Sequence, residues 1–169
     1  ISPADQDSFC GRGPFAPALT AAGNNENLVT AARDAFRANG GACGPIAIIL
    51  DKEIPVGAGL GGGSADAAAT LRALNKLAST PLNNDQLFAI AATLGSDVPV
   101  CLASTPHRIK GIGDVIHPLG KIDAGALLLV NPLVSLSTAA VFKQLTPPYN
   151  RPLPEITDDD VVRLCEFGN

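Results

Sequence analysis

The stretch "IPVGAGLGGGSADAAATLRALNKL" spans Ile54 to Leu77, and five of its seven residues from 57 to 63 are glycine. Glycine loses more backbone freedom on folding than any other residue, so such a loop serves something that comes close to the main chain. Upstream, "PIAIILDKEIP" (45–55) is a strand by its β-branched content and length, closed by Pro55. Downstream, Ala67, Leu71, Leu74 and Ala78 recur at helical spacing while Arg72, Asn75 and Lys76 face out, which predicts a helix of about 14 residues. The order is therefore strand, glycine loop, helix, with Ser64-Ala65-Asp66 opening the helix.

Three phosphate-binding readings compete for this order. A P-loop needs G-x-x-x-x-G-K-[ST], and the loop contains no Lys. A G-x-G-x-x-G dinucleotide fingerprint matches at Gly57, Gly59 and Gly62, but glycine-rich runs meet it by chance. It also needs an acid about 20 residues on, ending a second strand, and "LNKLAST" there is the end of a helix without one. The third reading rests on geometry: loop N–H groups and the positive end of the helix dipole face one concavity, which suits a polyphosphate. The bland alternative is a tight turn packed against a neighbour, which one or two glycines would satisfy.

Around this centre, residues 26–38 place Leu28, Ala32, Ala35 and Phe36 on one helical face, with Asn25 as cap and Gly40-Gly41 as terminator. A second helix over 84–94 presents Leu87, Ile90, Ala91 and Leu94, with Gly95 at a left-handed C-terminal cap. "DVPVCL" (97–102) is a short apolar run holding a single acid. "RIKGIGDVIHPL" (108–119) reads as a strand pair or a bulged strand, and "GALLLVNP" (125–132) as a buried strand. "LSTAAVFKQL" (136–145) reads as a helix, 147–154 as a proline-rich linker and "ITDDDVVRLCEF" (156–167) as a capped helix. No repeat is present, and a weak boundary lies near 120–125. Strands and helices alternate without βαβ regularity, which favours α+β over a doubly wound sheet.

Composition narrows the classes. The 169 residues suffice for one ordinary domain or two small ones, and 46% hydrophobic content supplies a core. A net charge of −4 without a basic run argues against nucleic acid or an anionic membrane as partner. No segment approaches the roughly 18 apolar residues of a membrane helix, and no signal-peptide pattern opens the chain. Cys10, Cys43, Cys101 and Cys165 stand far apart without C-x-x-C spacing, which reads as reduced thiols of a cytoplasmic protein. The chain holds no Met and opens abruptly on "ISPADQDSF", so it reads as a piece of a longer one.

"PVGAGLGGGSADAA" resembles the phosphate-binding motif of the GHMP kinase superfamily, whose core is P-x-x-x-G-L-G-(G/S)-S-x-A. The GGGS variant is most similar to the branch that acts on a cytidine-linked sugar alcohol in the non-mevalonate isoprenoid pathway. "ENLVTAA" (26–32), "GSDVPVCL" (95–102), "KGIGDVI" (110–116), "LLVNPLVSLSTAAVFK" (128–143) and "CEFGN" (165–169) agree in order, so the resemblance spans nearly the whole chain. It implies a ribosomal-protein-S5-domain-2-like N-terminal domain over 1–122, lacking its first strands, and the start of a ferredoxin-like C-terminal domain over 123–169.

The resemblance further implies ATP-dependent phosphorylation of a hydroxyl of 4-diphosphocytidyl-2-C-methyl-D-erythritol. Pro55, Val56, Gly57, Ala58, Gly59, Leu60, Gly61, Gly62, Gly63, Ser64 and Ala65 would wrap the ATP phosphates. Mg²⁺ would ride on those phosphates, with Ser64 its best protein contact and no dedicated metal site. Asp97, in "SDVP", matches the family's catalytic aspartate. Its place between Gly95-Ser96 and Val98-Pro99-Val100 predicts a partly desolvated carboxylate able to accept the hydroxyl proton; the plainer reading is a turn-forming Asp bonded to its own backbone. Phe142, in "TAAVFK", matches a Phe that stacks on the cytosine ring, or else is a core Phe beside Ala139 and Leu145.

His107 and His117 show no metal or triad spacing and read as surface or strand-edge residues. The acids at 158–160 read as the first turn of a helix. The family's "P-A-K-I-N-L" segment with its Lys near the γ-phosphate, its "D-G-Y-H" segment and its third glycine-rich motif are missing from these residues. The chain therefore reads as an internal fragment with little kinase activity alone. The alternatives are another GHMP small-molecule kinase, of homoserine or mevalonate type, disfavoured by "GGGS" and "SLSTAAVFK", and a non-catalytic nucleotide-binding module.

Overall fold

The computed structural model describes residues 1–21, 27–110, 115–120, 128–130, 141, 143, 144 and 146. Five strands and five helices appear among them: β1 (Ser2–Pro3), β2 (Ser8–Arg12), α1 (Ala16–Ala21), α2 (Leu28–Ala38), β3 (Ile46–Asp51), α3 (Gly62–Leu77), α4 (Asn84–Leu94), α5 (Val98–Ala103), β4 (His107–Lys110) and β5 (Val115–Pro118). The class is α+β, as the irregular strand-helix order predicts.

β3 lies at the centre of a mixed sheet of order β1-β3-β2. It pairs antiparallel with β1 (Ser2 opposite Ala47) and parallel with β2 over its full length, from Ser8 opposite Ala47 to Arg12 opposite Asp51. Alternation along β3 turns Ile46 and Ile48 into the core and leaves Ile49 on the outer face. Against that inner face packs a helical layer. Val29, Ala32 and Phe36 come from α2, Ala67, Ala68, Leu71 and Leu74 from α3, Leu87, Ile90 and Ala91 from α4, and Val98 and Leu102 from α5. Ala32 and Phe36, Ala67, Leu71 and Leu74, and Leu87, Ile90 and Ala91 are among the residues that the 3.6-residue periodicity predicts, whereas Val29, Ala68 and the α5 residues are not. A Cβ on Gly41 would lie 2.2 Å from the Phe36 ring, so the main chain itself closes the end of this core.

Charge fastens α2 to the sheet. The Asp7 carboxylate accepts from both terminal nitrogens of Arg37 and, at 2.9 Å, from the Ile46 N–H, with Arg33 at 3.8 Å. The Arg37 hydrogen bonds, followed by that of Ile46, hold the Asp7 carboxyl well below the usual carboxylate range. Arg37 also donates to the Gly44 carbonyl, so the turn entering β3 is tied to the same point.

Several local expectations are revised. The N-cap of α2 is Asn27, whose side chain accepts from the Val29 N–H, two residues beyond the expected Asn25. Gly95 at the end of α4 has φ 159° and ψ 156°, which is extended backbone, not a left-handed cap. Asn75, expected to face out, bridges the Leu82 N–H and carbonyl and so fixes the turn before α4. "DVPVCL" forms α5. "RIKGIGDVIHPL" supplies an antiparallel pair, with Ile109 opposite Ile116, as the first of its two readings has it. Of the run 125–132 only residues 128–130 are described, and these are neither strand nor buried: Leu128 is 89% exposed. Most of 136–145, all of 147–154 and all of 156–167 lie outside the described residues.

Candidate active site

The glycine loop leaves β3 and turns back over its end. Gly57, Gly59 and Gly61 have φ of 75°, 75° and 66°, an alternation that L-residues with a Cβ avoid. Gly61 is the N-cap of α3 and offers the helix no side-chain hydrogen bond. The first intrahelical bond runs from the Ala65 N–H to the Gly61 carbonyl at 2.9 Å. The N–H groups of Gly62, Gly63 and Ser64 precede it and have no intrahelical acceptor. They stand at the positive end of a 16-residue helix, where an anion is favoured.

A cavity of about 510 Å³ opens at this point. Its walls include every residue from Pro55 to Ser64, together with Asp66, Asp97, Lys52, Asn27, Leu28, Val29, Leu50, Ile54 and Leu19. The structure thus brings the loop and Asp97 to one space, although the rest of α3 and all of α4 separate Ser64 from Asp97 along the chain. Ala65 is absent from the wall; it is exposed, and its N–H is spent on the first helical turn. Phe142 lies outside the described residues.

Asp97 is the N-cap of α5, and its carboxylate makes no capping hydrogen bond. Among the described residues its one side-chain partner is the Ser96 hydroxyl, which donates to it at 3.5 Å. The turn-forming alternative is therefore not realised, because the carboxylate does not bond its own backbone. The expected partial desolvation is not realised either: Asp97 is exposed at the cavity mouth, because only Val98, Pro99 and Leu102 of α5 turn inward. A carboxylate in this position is open to a hydroxyl brought in by a ligand.

The residue that sequence reading missed is Lys52. It is only 6% exposed, and its Nζ lies 2.7 Å from Oδ2 of Asp66 in α3. Its own main chain is held too: the Lys52 N–H donates to the Arg12 carbonyl at 2.7 Å, and its carbonyl accepts from the Phe15 N–H at 3.2 Å. The ion pair joins the strand before the loop to the helix after it, so both ends of the loop are fixed. A Cβ on Gly62 would stand 3.4 Å from the Lys52 ammonium, which is how closely the helix start passes over it. The cavity does hold a lysine, but one that directly follows β3 and is already paired, unlike a P-loop lysine. The available signal was a Lys just past an apolar strand and an Asp two residues beyond Ser64.

Among the described residues no group of three or more His, Cys, Asp or Glu side chains could hold a metal. His107 and His117 lie on β4 and β5, and the His107 ring meets the Thr105 carbonyl. Cys10, Cys43 and Cys101 are free thiols. No helix among the described residues is long and apolar enough to cross a membrane.

Comparison with known proteins agrees with this geometry. Residues 27–105 match the GHMP kinases N terminal domain. A 4-diphosphocytidyl-2-C-methyl-D-erythritol kinase of Rhizobium meliloti (strain 1021) is 45% identical over 154 residues, 89% of this chain and 51% of the relative. The kinase of the same name from Brucella abortus biovar 1 (strain 9-941) is 43% identical over 172 aligned positions, 99% of this chain and 57% of the relative. A crystal structure of 4-(cytidine 5'-diphospho)-2C-methyl-D-erythritol kinase superposes with a TM-score of 0.64 at 35% identity, covering 88% of this chain and 52% of that one. The chain thus spans about half the length of the relatives it matches. The matched segment begins at the cap of α2, contains the glycine loop and Asp97, and ends just past α5, so the similarity to the GHMP kinases N terminal domain falls on the residues that line the cavity.

Proposed function

We propose that this chain supplies the phosphate cradle and the proton-accepting carboxylate of an ATP-dependent kinase acting on 4-diphosphocytidyl-2-C-methyl-D-erythritol. The observation that carries the reading is that the uncapped start of α3, the glycine loop and Asp97 line one cavity. The names of the relatives, at 43–45% identity, support the substrate.

Leu19, Leu28 and Leu50 supply apolar surface to the cavity, suited to the face of a base, and Asn27 and Lys52 add polar groups. The loop N–H groups of Gly62, Gly63 and Ser64 take the phosphates. Asp97 then faces the transferring group from α5. As the substrate hydroxyl oxygen forms its bond to the γ-phosphorus and the bond to the ADP oxygen breaks, the hydroxyl proton passes to the Asp97 carboxylate. Mg²⁺ fits as a passenger of the phosphates, with the half-buried Ser64 hydroxyl within its reach, and supplies charge neutralisation there. Phe142 is assigned to the cytosine ring. Residues 1–122 are assigned to the ATP-binding domain and 123–169 to the start of a second one. Free thiols at three of the four cysteines are in keeping with a reducing, cytoplasmic setting.

Taken alone, the 169 residues are expected to turn over slowly, because the only lysine lining the described cavity is neutralised by Asp66. Phosphoryl transfer calls for an unpaired cation facing the developing charge. The test is a coupled ATP assay on the protein expressed from its full reading frame. Asp97→Asn should lower kcat by about 10³ and leave the KM for ATP within twofold. Near-normal kcat in that variant sinks the assignment, and equal turnover of homoserine or mevalonate sinks the substrate.

A further inference from the structure

Asp97 is exposed, its carboxylate meets only the hydroxyl of its neighbour Ser96 among the described residues, and it is the N-cap of a helix of six residues. A helix of that length has no independent stability in water. Something else must hold its first residue at a fixed place relative to the phosphate loop. Burial of Val98 and Leu102 presses α5 against the core but is non-directional, and it leaves the helix free to slide or turn about its axis.

The directional contact is at the opposite end of α5. Arg72, ten residues beyond Gly62 on α3, donates through Nη1 to the carbonyls of Cys101 and Leu102, both at 3.1 Å, and lies 2.8 Å from the Ser104 hydroxyl. Those carbonyls belong to the last turn, whose oxygens have no intrahelical donor, and a cation there also complements the helix dipole. Ser104, at φ 53°, is the only non-glycine residue in the left-handed region among those described. Its hydroxyl reaches the Cys101 carbonyl at 3.1 Å and its N–H the Val100 carbonyl at 3.0 Å, so Arg72 sits on a deliberately closed terminus. The Cys101 thiol is pushed up first by burial and then by the charge of Asp97, and is drawn down by Arg72, so both charges reach the middle of α5.

We propose that Arg72 is a positioning residue, which anchors α5 to the helix that carries the phosphate cradle and thereby sets Asp97 against that cradle. One rigid element, α3, then bears the loop at its start and the anchor of the carboxylate about 15 Å further along its axis. This rests on the reading of Asp97 given above, and the test separates the two.

Kinetics and amide hydrogen exchange are compared for wild type, Arg72→Ala, Arg72→Lys and Asp97→Asn in the protein from its full reading frame. Arg72→Ala should lower kcat about tenfold with the KM for ATP within twofold, since a displacement of the order of 1 Å at a reacting group costs up to ~10²-fold. Arg72→Lys, able to reach one carbonyl, should recover part of the loss. Exchange at residues 101–104 should quicken about tenfold in Arg72→Ala while α4 stays protected. Unchanged kcat or unchanged protection at 101–104 in a folded Arg72→Ala overturns the anchor. So do equal losses in kcat and KM with no rescue by Lys. Full activity in Asp97→Asn overturns the catalytic reading instead, and in that case the exchange result decides the anchor separately.

Discussion

Two helices of this chain begin in opposite ways. α4 satisfies its own first turn: the Asn83 side chain accepts from the Gln86 N–H at 2.9 Å, and the Gln86 side chain accepts from the Asn83 N–H at 3.0 Å. This capping box stands in solvent, where no other partner is fixed. α3 is longer and more deeply buried, yet begins at a left-handed glycine with no capping side chain. A Ser or Asp cap would gain over this glycine only about a few tenths of a kcal/mol. The difference follows from what each start faces. A capping side chain on α3 would occupy the N–H groups that open into the cavity, so the helix leaves them for a ligand. Its stability comes instead from Leu71 and Leu74 in the core and from the Lys52–Asp66 ion pair.

The largest effect should come from breaking that pair. Lys52→Met keeps most of the side-chain volume but strands a carboxylate that is only 25% exposed, and should cost about 3 kcal/mol. Urea unfolding measures it, and a change below about 0.5 kcal/mol would mean that the pair does not fasten the loop. Gly61→Asp acts on the uncapped start itself. Asp tolerates the left-handed backbone, so stability should change little, but a negative charge at the cradle should weaken ATP binding about tenfold. Titration calorimetry with ATP in the protein from its full reading frame reads this out; unaltered affinity would remove the phosphates from α3. The smallest effect belongs to α4. Asn83→Ala should cost about 1 kcal/mol and leave ATP affinity untouched, so a loss of nucleotide binding there would erase the contrast between the two helices.

Much of this was open to sequence reading, for reasons that differ by element. α2, α3 and α4 follow from apolar spacing, because their inward faces are continuous and their breaks are marked by glycine or by Asn83. The phosphate loop was legible because glycine-rich backbone between a strand and a helix has few other uses. β2 was not legible. "SFCGR" lacks the alternation of large apolar residues, and only pairing with β3 makes it a strand. Residues 128–130 failed in the other direction, since an apolar run by itself does not state whether anything covers it. Asp97 was found by motif, but its exposure was misjudged: α5 turns its apolar residues inward and so carries the carboxylate outward.

Local sequence alone fixed where α2, α3 and α4 run, where the chain bends back at glycine and which residues belong to the phosphate motif. These depend on periodicity and on φ preferences that act within a few residues. Tertiary structure alone decided that Lys52 meets Asp66, that Arg72 closes the end of α5 and that Asp97 shares a cavity with Gly61. Each of these joins groups between 14 and 36 residues apart. Only the packing of α3 across the end of β3 and against α5 brings them within reach.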